Sequence, residues 1–272
     1  MRPAGGKNQP AVVAPRRLAT GPGPWHGPRP HRTTPVPILP LPDLLALLFF
    51  LVVWIGYATL VARAQTTRSG LMAIMHEARS EWMQQMERRD VRIVDTAIMS
   101  SLQNGTAFFA STSLIAIGGA AALLRSTDDV LRLSSELPLG PQVSRGLWEL
   151  KAIGLAIIFG YAFFKFSWAY RLFNYSAILI GATPPASSPD KAARHAAAER
   201  AARMTIVAGS NFAAGQRAFF FSFAYLGWFL GPYTFIASTI LIAGVVWHRQ
   251  FRSRAVLALG ERGEPERGTE KR

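Results

Sequence analysis

What most constrains this chain is the gathering of its apolar residues into four long blocks, separated by polar, Arg-rich stretches. A soluble core would spread those residues at helical or strand spacing. Here residues 44–62, 98–124, 150–172 and 218–247 each come near or exceed the roughly 20 residues needed to cross about 30 Å of hydrocarbon. Peptide groups in lipid must be satisfied within the segment, so such blocks are helical. The expectation is an all-α, polytopic membrane protein with four transmembrane helices.

The charge balance fits that reading. The formal net charge is +14, and Lys and Arg collect in cytoplasmic loops and near anionic headgroups. Aromatics sit inside the apolar blocks rather than among the basic residues, so no nucleic-acid-binding pattern is present. Without Cys, disulfides, thiol catalysis and Cys-ligated metal sites are excluded. No phosphate loop, nucleophile elbow or carboxylate pair in an apolar setting occurs, and no catalytic residue, cofactor or metal is expected. His76-Glu77 lacks the second His of a zinc-protease helix. His195 and Glu199 are spaced to hold half a metal site, but on an Ala-rich helix they read as a solvated face.

The flanks differ in kind. Residues 1–42 hold eleven of the eighteen prolines, five glycines, six Lys or Arg and no acid. That composition buries too little apolar surface to offset its ordering entropy and reads as a disordered tail. A start at or near Val36 would instead begin the chain just before its first helix. Asp43 is placed to cap that helix, and the block after it is too long for a signal-peptide core despite the "ARA" at 62–64. A retained anchor is expected. Residues 256–272 read as a charged mobile tail.

Two amphipathic helices are expected beside the membrane. In residues 70–96 a stripe of Leu71, Met75, Ala78, Trp82 and Met86 opposes Arg79, Glu81, Arg88 and Arg89. The other covers 189–207, opened by Ser188-Pro189-Asp190. They would pack together on the cytoplasmic side. "PLGP" at 138–141 reads as a turn. The block 218–247 is about 45 Å long as a helix, so it must tilt, project or bend at Gly231-Pro232. Four spans put both termini on one face. Lys and Arg favour the other face, so both termini are expected in the periplasm of a bacterial inner membrane.

Two groups of polar residues stand out in the apolar blocks. On the third block, Tyr161, Lys165, Trp168 and Tyr175 share one helical face, and Ser167, Arg171 and Asn174 another. As headgroup anchors, Lys165 and Arg171 would snorkel among a belt of Trp and Tyr. Buried, they would need a partner such as Asp95 or Glu149. On the second block, Arg92, Thr96, Ser100, Gln103, Ala107 and Ser111 fall on one face. They suit either helix packing or a pore lining.

The stretches "EWMQQMERRDVRIVD", "FFAST", "WELK", "FFKFSWAYRLFNY", "GATPP", "ERAAR" and "RAFFF" occur in that order. Together they resemble a bacterial integral membrane family known as domain of unknown function 599, over about residues 44–255. The resemblance implies a compact four-span inner-membrane protein and carries no catalytic role onto these positions. Three readings of function follow. The first is a non-enzymatic binding or scaffold protein whose basic cytoplasmic face engages anionic lipid or a partner, with homo-oligomers possible. The second is a small channel or transporter using Asp95, Lys165, Arg171 and Asn174. The third, a membrane enzyme, has least support in the residue inventory.

Overall fold

The computed structural model describes residues 39–66, 70–136, 144–252 and 256. The expected tails therefore lie almost wholly outside the described residues, as does the "PLGP" turn. The described residues form seven helices and no strand: α1 (Leu41–Thr66), α2 (Leu71–Met86), α3 (Ile93–Arg125), α4 (Thr127–Glu136), α5 (Arg145–Ala182), α6 (Lys191–Leu230) and α7 (Pro232–Phe251). Three of them are long and apolar enough to cross a membrane, at Leu41–Ala64, Ile93–Arg125 and Arg145–Ala182. They turn large apolar side chains outward, among them Val52, Ile55, Phe108, Ile115, Ile157 and Phe164. A soluble protein would not leave so much apolar surface bare.

The block 218–247 is two helices rather than one span. α6 stops at Leu230, Gly231 adopts φ 139° and ψ 166°, and Pro232 opens α7. That backbone region is open essentially to Gly alone, and Pro at the first helical position has no N–H to leave unsatisfied. α7 then runs back along α6. Trp228 stacks on Phe235 at 5.2 Å, the Ser238 hydroxyl donates to the Ala224 carbonyl at 2.7 Å, and Arg249 lies over the Phe220 ring at 5.3 Å. Partners recede from the turn on both sides together, which defines an antiparallel hairpin. Gly227 allows the close approach, since a Cβ there would sit 3.0 Å from the Ser238 Cβ.

The hairpin changes where the helix ends lie. Asp43, in the first turn of α1, meets Trp228 at the turn end of the bundle. The last turn of α7 instead lies against Gly70, before α2, where an added Cβ would be 3.2 Å from the Gln250 carbonyl oxygen. The start of α1 and the end of α7 are thus at opposite ends of the bundle. Four full crossings would instead leave those two helix ends on one side of the bundle.

α5 and α6, with 38 and 40 residues, are about 57 and 60 Å long and reach far past α7 at this α2 end. There α2 stands antiparallel along the first half of α6. The expected 70–96 helix is interrupted, with α2 ending at Met86 and α3 beginning at Ile93, whereas the 189–207 helix continues unbroken into α6. The face of α2 on α6 lies one position round from the expected stripe. Met72, Met83 and Met86 are buried, while Met75 and Ala78 are exposed. The cause is α6. Its Gly209 accommodates the Arg79 guanidinium, 2.7 Å from where a Cβ would be, and Ser210 Oγ lies 3.1 Å from His76 Nε2. Met83 and Met86 share a core with Ala198, Ala201 and Ala202.

Candidate functional site

The most buried charges lie at the two ends of the bundle. At the turn end, Lys151 and Asp43 are 3% and 6% exposed and Trp228 is fully covered. Lys151 Nζ donates to the Trp228 carbonyl at 2.8 Å and lies 3.5 Å from Asp43 Oδ1, while Trp228 Nε1 donates to the same carboxylate oxygen at 2.7 Å. The ammonium thus satisfies a last-turn carbonyl of α6 and meets the negative end of its dipole. Asp43 was expected to cap α1. That helix starts two residues earlier, at Leu41, and the carboxylate instead ties α1 to α5 and α6.

At the α2 end, Asp95 is fully buried. Its Oδ1 accepts from Trp82 Nε1 at 2.7 Å and from Arg89 Nη1 at 3.0 Å, while Oδ2 has no partner among the described residues. Arg92 donates to the carbonyls of Ile180, Thr183 and Pro184 at 2.6–2.8 Å, closing the C-terminus of α5. These contacts fix where α3 leaves the α2 platform.

The other expected site residues do not converge. Lys165 donates to Asn211 Oδ1 at 3.2 Å and lies 5.7 Å from the Tyr161 ring centroid. Neither suggested partner reaches it: Asp95 is paired with Arg89, and Glu149 accepts from Arg145 at 2.9 Å. Arg171 is exposed and donates to the Tyr175 hydroxyl at 2.6 Å. Asn174 accepts from Gln103 at 2.7 Å, joining one residue of each expected group across α3 and α5. Ser167 is half-buried, and Thr96, Ser100 and Ser111 lie on the exposed side of α3. The expected α3 face therefore divides. The buried residues of α3 are others, Asp95, Met99, Thr106, Ser113 and Ala120, near a seven-residue repeat that suits packing.

Two open cavities of about 500 and 250 Å³ adjoin along α2 and α6, sharing Ser80, Gln84 and Ile206. His76, Glu77 and Glu81 border the first; His195, Glu199 and Arg203 border the second. His195 Nδ1 lies 3.3 Å from Glu87 Oε2, so this residue links the end of α2 to α6. Burial first, and the Arg79 charge second, hold His76 below the ordinary histidine range. Among the described residues no cluster of His, Asp and Glu is arranged to hold a metal. Charges of both signs around an open groove suit a polar surface better than an apolar small molecule.

Sequence reasoning missed Lys151, whose local signal is a lone cation at the start of an apolar block. No curated protein and no solved structure matches the chain. A family model described as a protein of unknown function, DUF599, matches residues 45–255. That span takes in the platform, the helix-end contacts and the hairpin, and the chain belongs to the DUF599 family.

Proposed function

We propose that the protein is a non-enzymatic binding protein of the bacterial inner membrane, with its α2 end in the cytoplasm and its basic platform set against anionic headgroups. The observation that carries this is the charge asymmetry of the bundle. Arg79, Arg88, Arg89 and Arg92 surround α2, Lys191, Arg194, Arg200 and Arg203 lie on the first half of α6, and Arg249 and Arg252 end α7. The turn end has Arg125, Arg132, Arg145 and the buried Lys151. The hairpin returns the end of α7 to the already basic face, so the positive-inside rule now points one way. α7, with 20 residues, is about 30 Å long and suffices for a crossing. Five crossings then leave the start of α1 in the periplasm and the C-tail in the cytoplasm.

Binding is favoured over transport by the local engagement of the α5 cations. Lys165 reaches Asn211, two residues before Ala213, which shares a cavity with Gln250 at the end of α7. That level suits a headgroup anchor. Hydrogen exchange of the full chain in nanodiscs tests the reading. Amides of α2 and the first half of α6 are expected to exchange more slowly over phosphatidylglycerol than over phosphatidylcholine. Equal exchange in both would refute it.

A further inference from the structure

Two cations shielded at the helix ends have acceptors: Lys151 has a carbonyl and Asp43, and Arg92 has three carbonyls. A cavity of about 120 Å³ between α1, α2, α6 and α7 breaks the pattern. Arg217, half-buried, and Arg249 both line it, with Gln216, Gln250 and Tyr57. Among the described residues no carboxylate comes within ion-pair distance of either guanidinium. The exposed Arg249 lies over the face of Phe220, and among the described residues the buried Gln250 Nε2 has no hydrogen-bond partner. The Tyr57 hydroxyl is already used, donating to the Val246 carbonyl at 3.2 Å. The cavity therefore gathers two guanidinium groups and two side-chain amides around one buried donor that is unmet, and leaving such a donor unmet is costly. A phosphate supplies several acceptor oxygens and suits the planar fork of Arg. The volume, roughly that of four waters in the liquid, suits one such group.

Beside it runs an apolar groove of about 440 Å³ between α1 and α7, lined by Val52, Val53, Gly56, Leu60, Ala243 and Gly244. Tyr57 borders both spaces. A Cβ at Gly56 or Gly244 would meet nothing within 4 Å, so these glycines keep the groove open. From Leu60 to Val52 it descends about 12 Å away from the α2 end, close to the depth of one leaflet's hydrocarbon. We propose that this is a site for one anionic phospholipid, its phosphate held by Arg217, Arg249, Gln216 and Gln250 and one acyl chain lying in the α1–α7 groove.

Native mass spectrometry of the full chain released from nanodiscs tests this. One phosphatidylglycerol should stay bound, and phosphatidylcholine should not. Arg217→Gln and Arg249→Gln should each lower retention about tenfold or more. Gly244→Leu should lower it by filling the groove, while Arg125→Gln, exposed at the turn end of the bundle, should leave it unchanged. In lipid-free detergent Arg217→Gln should melt no lower than the parent, because it removes a cation without a carboxylate partner. A lower melting temperature there would make the arginine structural and overturn the proposal, as would unchanged retention in both arginine variants. If inorganic phosphate alone stabilises the protein as well as phosphatidylglycerol does, and Gly244→Leu changes nothing, the lipid assignment falls to free phosphate. Placement in the cytoplasmic leaflet rests on the orientation proposed above, but retention does not. Retained lipid with reversed orientation would overturn only that orientation.

Discussion

Removing the Lys151 ammonium leaves the buried Asp43 carboxylate without its counter-charge and takes one of two donors from the Trp228 carbonyl. Breaking a buried pair from one side costs about 3–5 kcal/mol, so Lys151→Ala should lower the chemical-denaturation stability in micelles by that order. Lys151→Met with Asp43→Leu should recover part of it, because no charge is left unpaired. A second residue-scale prediction concerns pH. His76 is held below its ordinary range by burial and by Arg79, so the unfolded chain binds the proton more readily than the folded one. Stability should then rise with pH towards about 6.5 and be lost as pH falls below it. His76→Gln should flatten that part of the profile in thermal melts, and an unchanged slope would contradict the assignment. Neither residue was legible as a contact. Asp43 and Trp228 are 185 positions apart, and no local pattern encodes such a pairing. Gln103 and Asn174 were each singled out from their own helix, but only the packing of α3 on α5 joins them.

The elements were legible where composition alone decides. The apolar blocks that became α1, α3 and α5 are long enough to read directly. The hairpin was not, because 218–247 is apolar throughout and about one tilted span long, so length and hydropathy both favoured a single helix. A bend at Gly231-Pro232 was one of three ways to fit the block, and the positive φ of Gly231 makes it a reversal. Gly231→Ala should therefore lower stability by about 1–3 kcal/mol, measured by denaturation in micelles. A neutral result would mean the turn is not held in that region. The face of α2 was misread by one position because periodicity counts apolar residues, whereas α6 accommodates Arg79 and His76 through Gly209 and Ser210.

At the scale of the whole molecule, one reversal carries the functional reading. With the end of α7 at the α2 end, the basic residues of α2, α6 and α7 share one face, and the turn end keeps few. Counted as four spans, the same residues divided more evenly, and both termini fell outside the cytoplasm. Reporter fusions before α1 and after the C-tail of the full-length chain, read with a cytoplasm-active fluorophore and a periplasm-active phosphatase, test this most directly. Fluorescence is expected only from the C-terminal fusion and phosphatase activity only from the N-terminal one. The same reporter active at both ends would contradict it.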